Sequence, residues 1–141
     1  MKNSQISSVS VSVLGLGYIG LPTSALLASV GYKVYGMDIN GAVVATINKG
    51  NIHIVEPDLD AFVRSAVSSG NLKAYETVQP ADVYIICVPT PFTFNDGSPV
   101  PNLDYVTKAA ESITPLVKSG DIVILESTSP VGATQLVSDV L

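Results

Sequence analysis

The sequence predicts an α/β fold in which a doubly wound parallel sheet carries helices on both faces. Three observations predict it. Strand-like and helix-like segments alternate along the chain, which is typical of parallel strands joined by crossover helices. The apolar run at residues 83–88 has the continuous hydrophobicity of a strand buried on both faces. A glycine-rich segment at residues 15–20 separates the first apolar strand from a helical pattern.

The glycine-rich segment has the pattern Gly-x-Gly-x-x-Gly, with its glycines at Gly15, Gly17 and Gly20. A second strand-like run at residues 33–37 ends at Asp38, eighteen residues after the last of these glycines. A strand, this glycine pattern, a helix and an acid at this distance together predict a Rossmann-type unit that binds a dinucleotide.

Each glycine of the pattern has an expected role. Gly15 allows a tight turn, Gly17 lets a diphosphate approach the backbone, and Gly20 lets the helix pack closely on the strand. The diphosphate is expected at the start of the helix, where backbone N–H groups without partners and the helix dipole favour an anion.

The acid at Asp38 predicts which dinucleotide binds. Its carboxylate is expected to accept hydrogen bonds from the adenosine ribose and to repel a 2′-phosphate. No arginine follows at residues 39–41 to receive such a phosphate, so we expect NAD rather than NADP. The alternative is a glycine-rich turn in another α/β protein, with Asp38 as a solvated strand end.

Length and composition restrict the class of protein. The 141 residues suit one domain, residues 1–141. The net charge of −5 argues against nucleic acid or an anionic membrane as a partner.

The apolar stretch at 19–30 is too short to span a bilayer, and residues 1–5 lack the core of a signal peptide. The single cysteine, Cys87, excludes an internal disulfide and is typical of a reducing compartment, so a cytoplasmic location is expected.

The remaining elements are predicted from periodicity and caps. A helix is expected from an Asn40 cap to about Gly50, and a second from an Asp58 cap to Gly70, with an apolar stripe of Leu59, Phe62, Val63, Ala66 and Val67. Strands are expected at 71–75, 83–88 and 121–125, and further helices from 102 or 103 and from Pro130 onward. The segment at 89–101, with four prolines and an Asn-Asp-Gly turn signal, is expected to be irregular.

The first strand contains a conflict between pattern and fold. Its alternation of valine and serine is typical of a half-exposed strand, whereas the predicted fold places it at the centre of the sheet. Because serine is small and tolerates burial when its hydroxyl bonds to the backbone, we expect the central position.

Ligands of open parallel sheets bind beyond the carboxyl ends of the strands. Thr90 follows the strand at 83–88 and is expected to bond either to the cofactor or only within a turn. One residue of 127–129 is expected to cap the following helix, most naturally Ser129. Thr128 is then left to face the crevice.

Three other residues have reactive or metal-binding side chains, but a structural role is the favoured interpretation or no metal site is expected. Glu126 either acts on a bound substrate or has a structural hydrogen-bonding role, and the second is favoured. Cys87 lies in an apolar strand and is expected to be an inert core residue. His53 has no second histidine or nearby cysteine with which to hold a metal, so no metal site is expected.

Together these segments resemble the N-terminal domain of the UDP-glucose/GDP-mannose dehydrogenase family. Residues 15–22, 88–91 and 127–132 are similar to three signatures of that family, and the resemblance extends from Val9 to the end of the chain. Within the family, residues 52–59 and 125–128 are most similar to UDP-N-acetyl-D-mannosamine dehydrogenases.

The resemblance implies a four-electron oxidation of a nucleotide-sugar 6-alcohol to a uronic acid with two NAD, in nucleotide-sugar metabolism that serves polysaccharide biosynthesis. The sugar implied is UDP-N-acetyl-D-mannosamine. Tyr18, Ile19, Asp38, Thr90 and Thr128 fall on positions where the family contacts the cofactor. Thr128 also falls on a catalytic threonine near the reacting centre, which helps to hold a water.

The family's nucleophilic thiol, with its lysine and asparagine, belongs to a later domain that no segment of this chain resembles. The resemblance therefore implies that central and C-terminal UDP-sugar domains are absent here, that the chain alone binds NAD without turnover, and that the full-length protein is a homodimer. The alternatives are a stand-alone nucleotide-binding module, a dehydrogenase of UDP-glucose or UDP-N-acetylglucosamine, and a two-domain hydroxyacid dehydrogenase.

Overall fold

The computed structural model describes residues 8–141, so the segment tested above for a signal peptide lies outside the described residues. The elements in chain order are β1 (Ser10–Leu14), α1 (Gly20–Ser29), β2 (Lys33–Met37), α2 (Gly41–Asn48), α3 (Leu59–Ser68), β3 (Leu72–Tyr75), β4 (Val83–Ile86), β5 (Phe92–Asn95), β6 (Ser98–Pro101), α4 (Asp104–Ile113), β7 (Ile122–Leu125) and α5 (Ala133–Val140).

The main sheet has the strand order β3-β2-β1-β4-β7, and every neighbouring pair is parallel. From β1 the chain adds β2 and β3 on one side of the sheet and then β4 and β7 on the other side, so the strand order reverses beside β1. A crevice forms at such a reversal, at the carboxyl ends of the strands. The predicted doubly wound fold is confirmed.

The sheet is covered on both faces, as the prediction requires. Helices α1, α2 and α3 pack on one face, through buried side chains that include Leu21, Ile47 and Val63. Helices α4 and α5 pack on the other face, through Val106 and Val137. Burial on both faces explains why the sequence of β4 is continuously apolar.

Strand β1 is central, as expected, but one of its serines is not satisfied as expected. Ser12 is fully buried, and its hydroxyl has no hydrogen-bond partner in the described part of the chain. Backbone groups on both sides of β1 are engaged in ladders with β2 and β4. The expected hydroxyl-to-backbone bond is therefore wrong for Ser12.

The segment at 89–101 is not irregular. Strands β5 and β6 form an antiparallel hairpin separate from the main sheet. Its turn residues Asp96 and Gly97 have φ values of 48° and 79°, which is the geometry of a two-residue type I′ turn. The prolines were misleading because a two-stranded ribbon has only edge strands, where proline is tolerated.

Two helix ends and one side chain of the predicted α3 stripe also differ from the prediction. Asp58 precedes α3 with a left-handed backbone (φ 63°) and makes no side-chain cap, and Phe62 of that helix is 49% exposed. Helix α5 begins three residues later than expected, after Gly132 with φ 94°, so Ser129 is not its cap. The predicted Asn40 cap of α2 is confirmed, since its side chain accepts a hydrogen bond from the Ala42 N–H.

Candidate functional site

The loop between β1 and α1 can be built only with glycine at two of its positions. Gly15 has φ 94°, and a Cβ there would lie 2.7 Å from the carbonyl oxygen of Cys87. A Cβ on Gly20 would lie 1.7 Å from the carbonyl oxygen of Gly15. The turn and the close packing of α1 on the strand ends therefore both depend on the absence of a side chain.

The same loop presents a row of backbone donors. The N–H groups of Gly17, Tyr18, Ile19 and Gly20 have no acceptor among the described residues, and α1 has no side-chain cap. A Cβ on Gly17 would meet nothing within 4 Å, so no other part of the fold fills the space at this glycine. Unpaired N–H groups at the positive end of a helix dipole fit a diphosphate.

Asp38 lies directly beside this loop, at the end of β2. One carboxylate oxygen accepts a hydrogen bond from the Leu16 N–H at 3.1 Å, and the other accepts one from the Asn40 N–H at 2.9 Å. The carboxylate is only partly buried. It is therefore fixed in place and can still accept hydrogen bonds from a ligand's hydroxyl groups.

Thr90 and Thr128 meet at the ends of β4 and β7. The Thr90 hydroxyl donates to the carbonyl oxygen of Thr128, and the two hydroxyl oxygens are 3.3 Å apart. Beneath them the buried Ser127 hydroxyl donates to the carbonyl oxygen of Val88 at 2.7 Å. These bonds join the loops after β4 and β7, and the exposed Thr128 faces solvent at this edge.

Glu126 connects three elements at the same edge. Its carboxylate accepts hydrogen bonds from the Thr23 hydroxyl at 2.9 Å and from the Cys87 thiol at 3.3 Å. The structural interpretation favoured for Glu126 is thereby confirmed. The part played by Thr23 in α1 was missed, because a contact between residues 103 positions apart leaves no local signal in the sequence.

The Cys87 thiol is unsuited to nucleophilic chemistry, as predicted. Burial raises its pKa well above the ordinary value, and the hydrogen bond to Glu126 and the negative charge of that carboxylate raise it further. The thiol therefore stays protonated at neutral pH. His53 is exposed, and no group of three or more potential metal ligands converges within residues 8–141.

The predicted cofactor residues all lie at one edge of the sheet. The glycine loop follows β1, Asp38 follows β2, and the two threonines follow β4 and β7. Because these strands are parallel, their carboxyl ends meet at this edge.

Among the helices of the described residues, none is long and apolar enough to cross a membrane.

Known proteins are similar to this chain in sequence and in fold. Residues 9–141 match the model of the UDP-glucose/GDP-mannose dehydrogenase family, NAD binding domain. The chain is 57% identical over 129 residues to an NDP-N-acetyl-D-galactosaminuronic acid dehydrogenase of Ralstonia nicotianae, covering 92% of this chain. It is 55% identical over 130 residues to a UDP-N-acetyl-D-mannosamine dehydrogenase of Yersinia pestis, again covering 92% of this chain.

Solved structures agree with the sequence comparison. The native structure of a UDP-N-acetyl-mannosamine dehydrogenase from Staphylococcus aureus superposes with a TM-score of 0.86 at 40% identity, over 93% of this chain and 32% of that one. The chain spans 30% of the length of the two relatives named above. A match to the family model over nearly the whole chain shows that this chain belongs to the UDP-glucose/GDP-mannose dehydrogenase family, as its NAD-binding domain.

Proposed function

We propose that the chain holds the cofactor of a nucleotide-sugar 6-dehydrogenase that oxidises UDP-N-acetyl-D-mannosamine to UDP-N-acetyl-D-mannosaminuronate with two NAD. The sugar is proposed from the similarity to proteins named UDP-N-acetyl-D-mannosamine dehydrogenase. The observation that carries the cofactor role is the row of unpaired N–H groups from Gly17 to Gly20, placed directly beside the fixed carboxylate of Asp38. A cofactor with a diphosphate next to a ribose diol matches both groups.

Each residue of the site has a proposed role. Gly15 and Gly20 shape the loop, and the N–H groups of Gly17, Tyr18 and Ile19 bind the diphosphate. Asp38 binds the adenosine ribose and disfavours a 2′-phosphate. The free space at Gly17 and the position of the acid beside the loop support this division.

Thr90 and Thr128 are proposed to contact the other half of the cofactor, on the β4 and β7 side of the crevice. Bound NAD supplies a hydride acceptor there. The Thr128 hydroxyl is proposed as a catalytic group that helps to hold a water near the reacting centre. Its exposure and the 3.3 Å separation from the Thr90 hydroxyl support this role, because two adjacent hydroxyl groups can orient one water.

The catalytic thiol and the UDP-sugar site are proposed to belong to further domains, in a cytoplasmic protein that forms a homodimer. The relatives named above are more than three times as long as the matched region. The one cysteine of this chain is buried and protonated, so it does not serve as that thiol. On this proposal the domain alone binds NAD without turnover.

A second candidate differs only in the sugar. The Ralstonia nicotianae relative at 57% identity is named for an N-acetyl-galactosaminuronic acid product, which favours a galacto-configured substrate as the alternative. The present domain carries the cofactor residues, so the sugar configuration is decided outside it.

The test is an activity assay of the full-length protein on UDP-N-acetyl-D-mannosamine, UDP-N-acetyl-D-galactosamine and UDP-glucose. We expect two NADH for each molecule of the mannosamine sugar consumed, measured by absorbance. Selective turnover of the galactosamine sugar supports the second candidate. A coding sequence that stops near residue 141, or a full-length protein that reduces no NAD with any UDP-sugar, contradicts the proposal and favours a stand-alone nucleotide-binding module.

A further inference from the structure

The carboxylate of Glu126 is held by neutral donors alone. The hydroxyl of Thr23 and the thiol of Cys87 each donate to one of its oxygens. The one ion pair among residues 8–141 is that between Arg64 and Asp60 on α3, so no cation neutralises Glu126. The residue is exposed at the carboxyl edge of the sheet. A fixed negative charge without a counterion therefore borders the crevice.

The position of this charge relates it to one half of the cofactor. Asp38 lies at the end of β2, on one side of β1, whereas Glu126 follows β7 on the opposite side. A dinucleotide lies across the crevice with one nucleoside on each side of the reversal. With the adenosine ribose at Asp38, the nicotinamide nucleoside lies on the side of Glu126.

The two oxidation states of the cofactor differ in charge at that end. The nicotinamide ring is positively charged when oxidised and neutral when reduced, whereas the rest of the molecule is the same. We propose that Glu126 is a specificity-determining residue, whose carboxylate makes the site bind NAD+ in preference to NADH. The inference rests on the proposed cofactor site. It adds a reason why that site would bind the oxidised cofactor more tightly than the reduced one.

The hydrogen bonds to Glu126 make this preference possible. Because both donors are uncharged, they orient the carboxylate and leave its net charge intact. The Thr23 hydroxyl also ties the carboxylate to the first turns of α1, directly after the diphosphate-binding loop. An exposed carboxylate without these bonds samples many rotamers and acts on the ring more weakly.

The test compares the affinities of NAD+, NADH and ADP-ribose by calorimetric titration of the wild-type chain and of Glu126→Gln. Glutamine keeps the size and an acceptor oxygen but removes the charge. We expect the preference for NAD+ over NADH to fall by about fivefold, as the loss of one charge near a partly solvated cation predicts. ADP-ribose lacks the ring and reports any change in the diphosphate and adenosine contacts.

Two further variants sharpen the result. Glu111→Gln removes the same charge from an exposed position in the last turn of α4, where that helix leads back to the start of β7 and not to the carboxyl ends of the strands, and should leave the preference unchanged. Thr23→Val removes one donor and keeps the carboxylate, so a smaller fall in the preference is expected.

The outcomes separate the inference from the site on which it rests. An unchanged NAD+/NADH ratio in Glu126→Gln, with ADP-ribose still bound, overturns the role of Glu126 and leaves the cofactor site standing. An equal fall in the preference for NAD+ over NADH in Glu111→Gln also overturns the role of Glu126, because the effect then comes from the net charge of the chain. Failure of the wild-type chain to bind any of the three ligands overturns the proposed site itself.

Discussion

The carboxylate of Asp38 performs a structural task in addition to the ligand contact that its position in the sequence predicts. It anchors the glycine loop through the N–H of Leu16 and fixes the start of α2 through the N–H of Asn40. Removing the side chain therefore disturbs the loop as well as the ribose contact. A substitution that tests cofactor choice has to keep an acceptor at this position.

Asp38→Asn keeps an acceptor oxygen and removes the charge that repels a 2′-phosphate. We expect the wild-type chain to bind NAD much more tightly than NADP, and the variant to narrow that difference by about tenfold. Calorimetric titration with both cofactors measures it. Asp38→Ala is the comparison, since the loss of both backbone hydrogen bonds should weaken the binding of NAD and of NADP. Equal affinity of the wild-type chain for NAD and NADP would show that Asp38 does not select the cofactor.

At the residue scale, the sequence predicts best what depends on local geometry. Gly15 and Gly20 were assigned correctly to a tight turn and a close packing, because each requirement involves a few neighbouring residues. The contacts of Glu126 with Thr23 and Cys87 could not be predicted. They join distant parts of the chain, and any of several polar side chains could have filled the same place.

At the scale of single elements, β1 carries an energetic defect at its centre. Ser12 is buried on the face that carries α4, beside Tyr84 in the register of β1 with β4, and its hydroxyl has no partner within residues 8–141. A buried hydroxyl without a hydrogen bond lowers stability by about 1–3 kcal/mol relative to a satisfied one.

Ser12→Ala should therefore raise the free energy of unfolding by about 1 kcal/mol, measured by urea denaturation. Ser127→Ala is the matched control. Its hydroxyl donates to the Val88 carbonyl, so its removal should lower the free energy of unfolding by about the same amount. A loss of stability in Ser12→Ala would mean that the hydroxyl has a bonding role in solution.

Elements were predicted well where one pattern dominated and less well where signals competed. Helix α2 has both a capping asparagine and a terminal glycine with φ 79°, and its bounds were close to the prediction. The β5–β6 hairpin was missed because prolines in its strands outweighed the Asp-Gly turn signal. Helix α5 starts late because the left-handed backbone of Gly132 interrupts the helix that Pro130 could have begun.

On the scale of the whole molecule, the surface is unusually apolar. Charged residues make up only 13% of the sequence, and several large apolar side chains are exposed. Some of them border an open groove of about 250 Å³ between α1 and α3, lined by Pro22, Ala25, Leu26, Glu56, Pro57, Leu59 and Phe62. An exposed apolar groove of this kind binds apolar molecules.

The isolated chain should therefore bind a hydrophobic fluorescent dye while folded. Phe62→Ser should reduce the fluorescence severalfold, since Phe62 is half-exposed at the groove. Phe94→Ser removes a more exposed phenylalanine, 74% against 49% for Phe62, from the hairpin and is the control. An equal loss of fluorescence in both variants, or no dye binding by the wild-type chain, would show that the groove does not bind the dye.

The doubly wound parallel sheet was predictable from alternating strands and helices, because crossover connections leave few arrangements of a parallel sheet. The strand order was not predicted, and the structure supplies it. That order brings residues far apart in sequence to one edge, where the glycine loop, Asp38, Thr90 and Thr128 meet. The same reasoning does not reach the sugar, because the residues brought to this edge are those proposed to hold the cofactor.

The most direct test is a crystal structure of the chain soaked in NAD. We expect the diphosphate within hydrogen-bonding distance of the N–H groups of Gly17 to Gly20, and the adenosine ribose hydroxyls on the carboxylate of Asp38. NAD bound at another surface, or residues 15–20 in a regular helix with their N–H groups paired, would contradict this assignment.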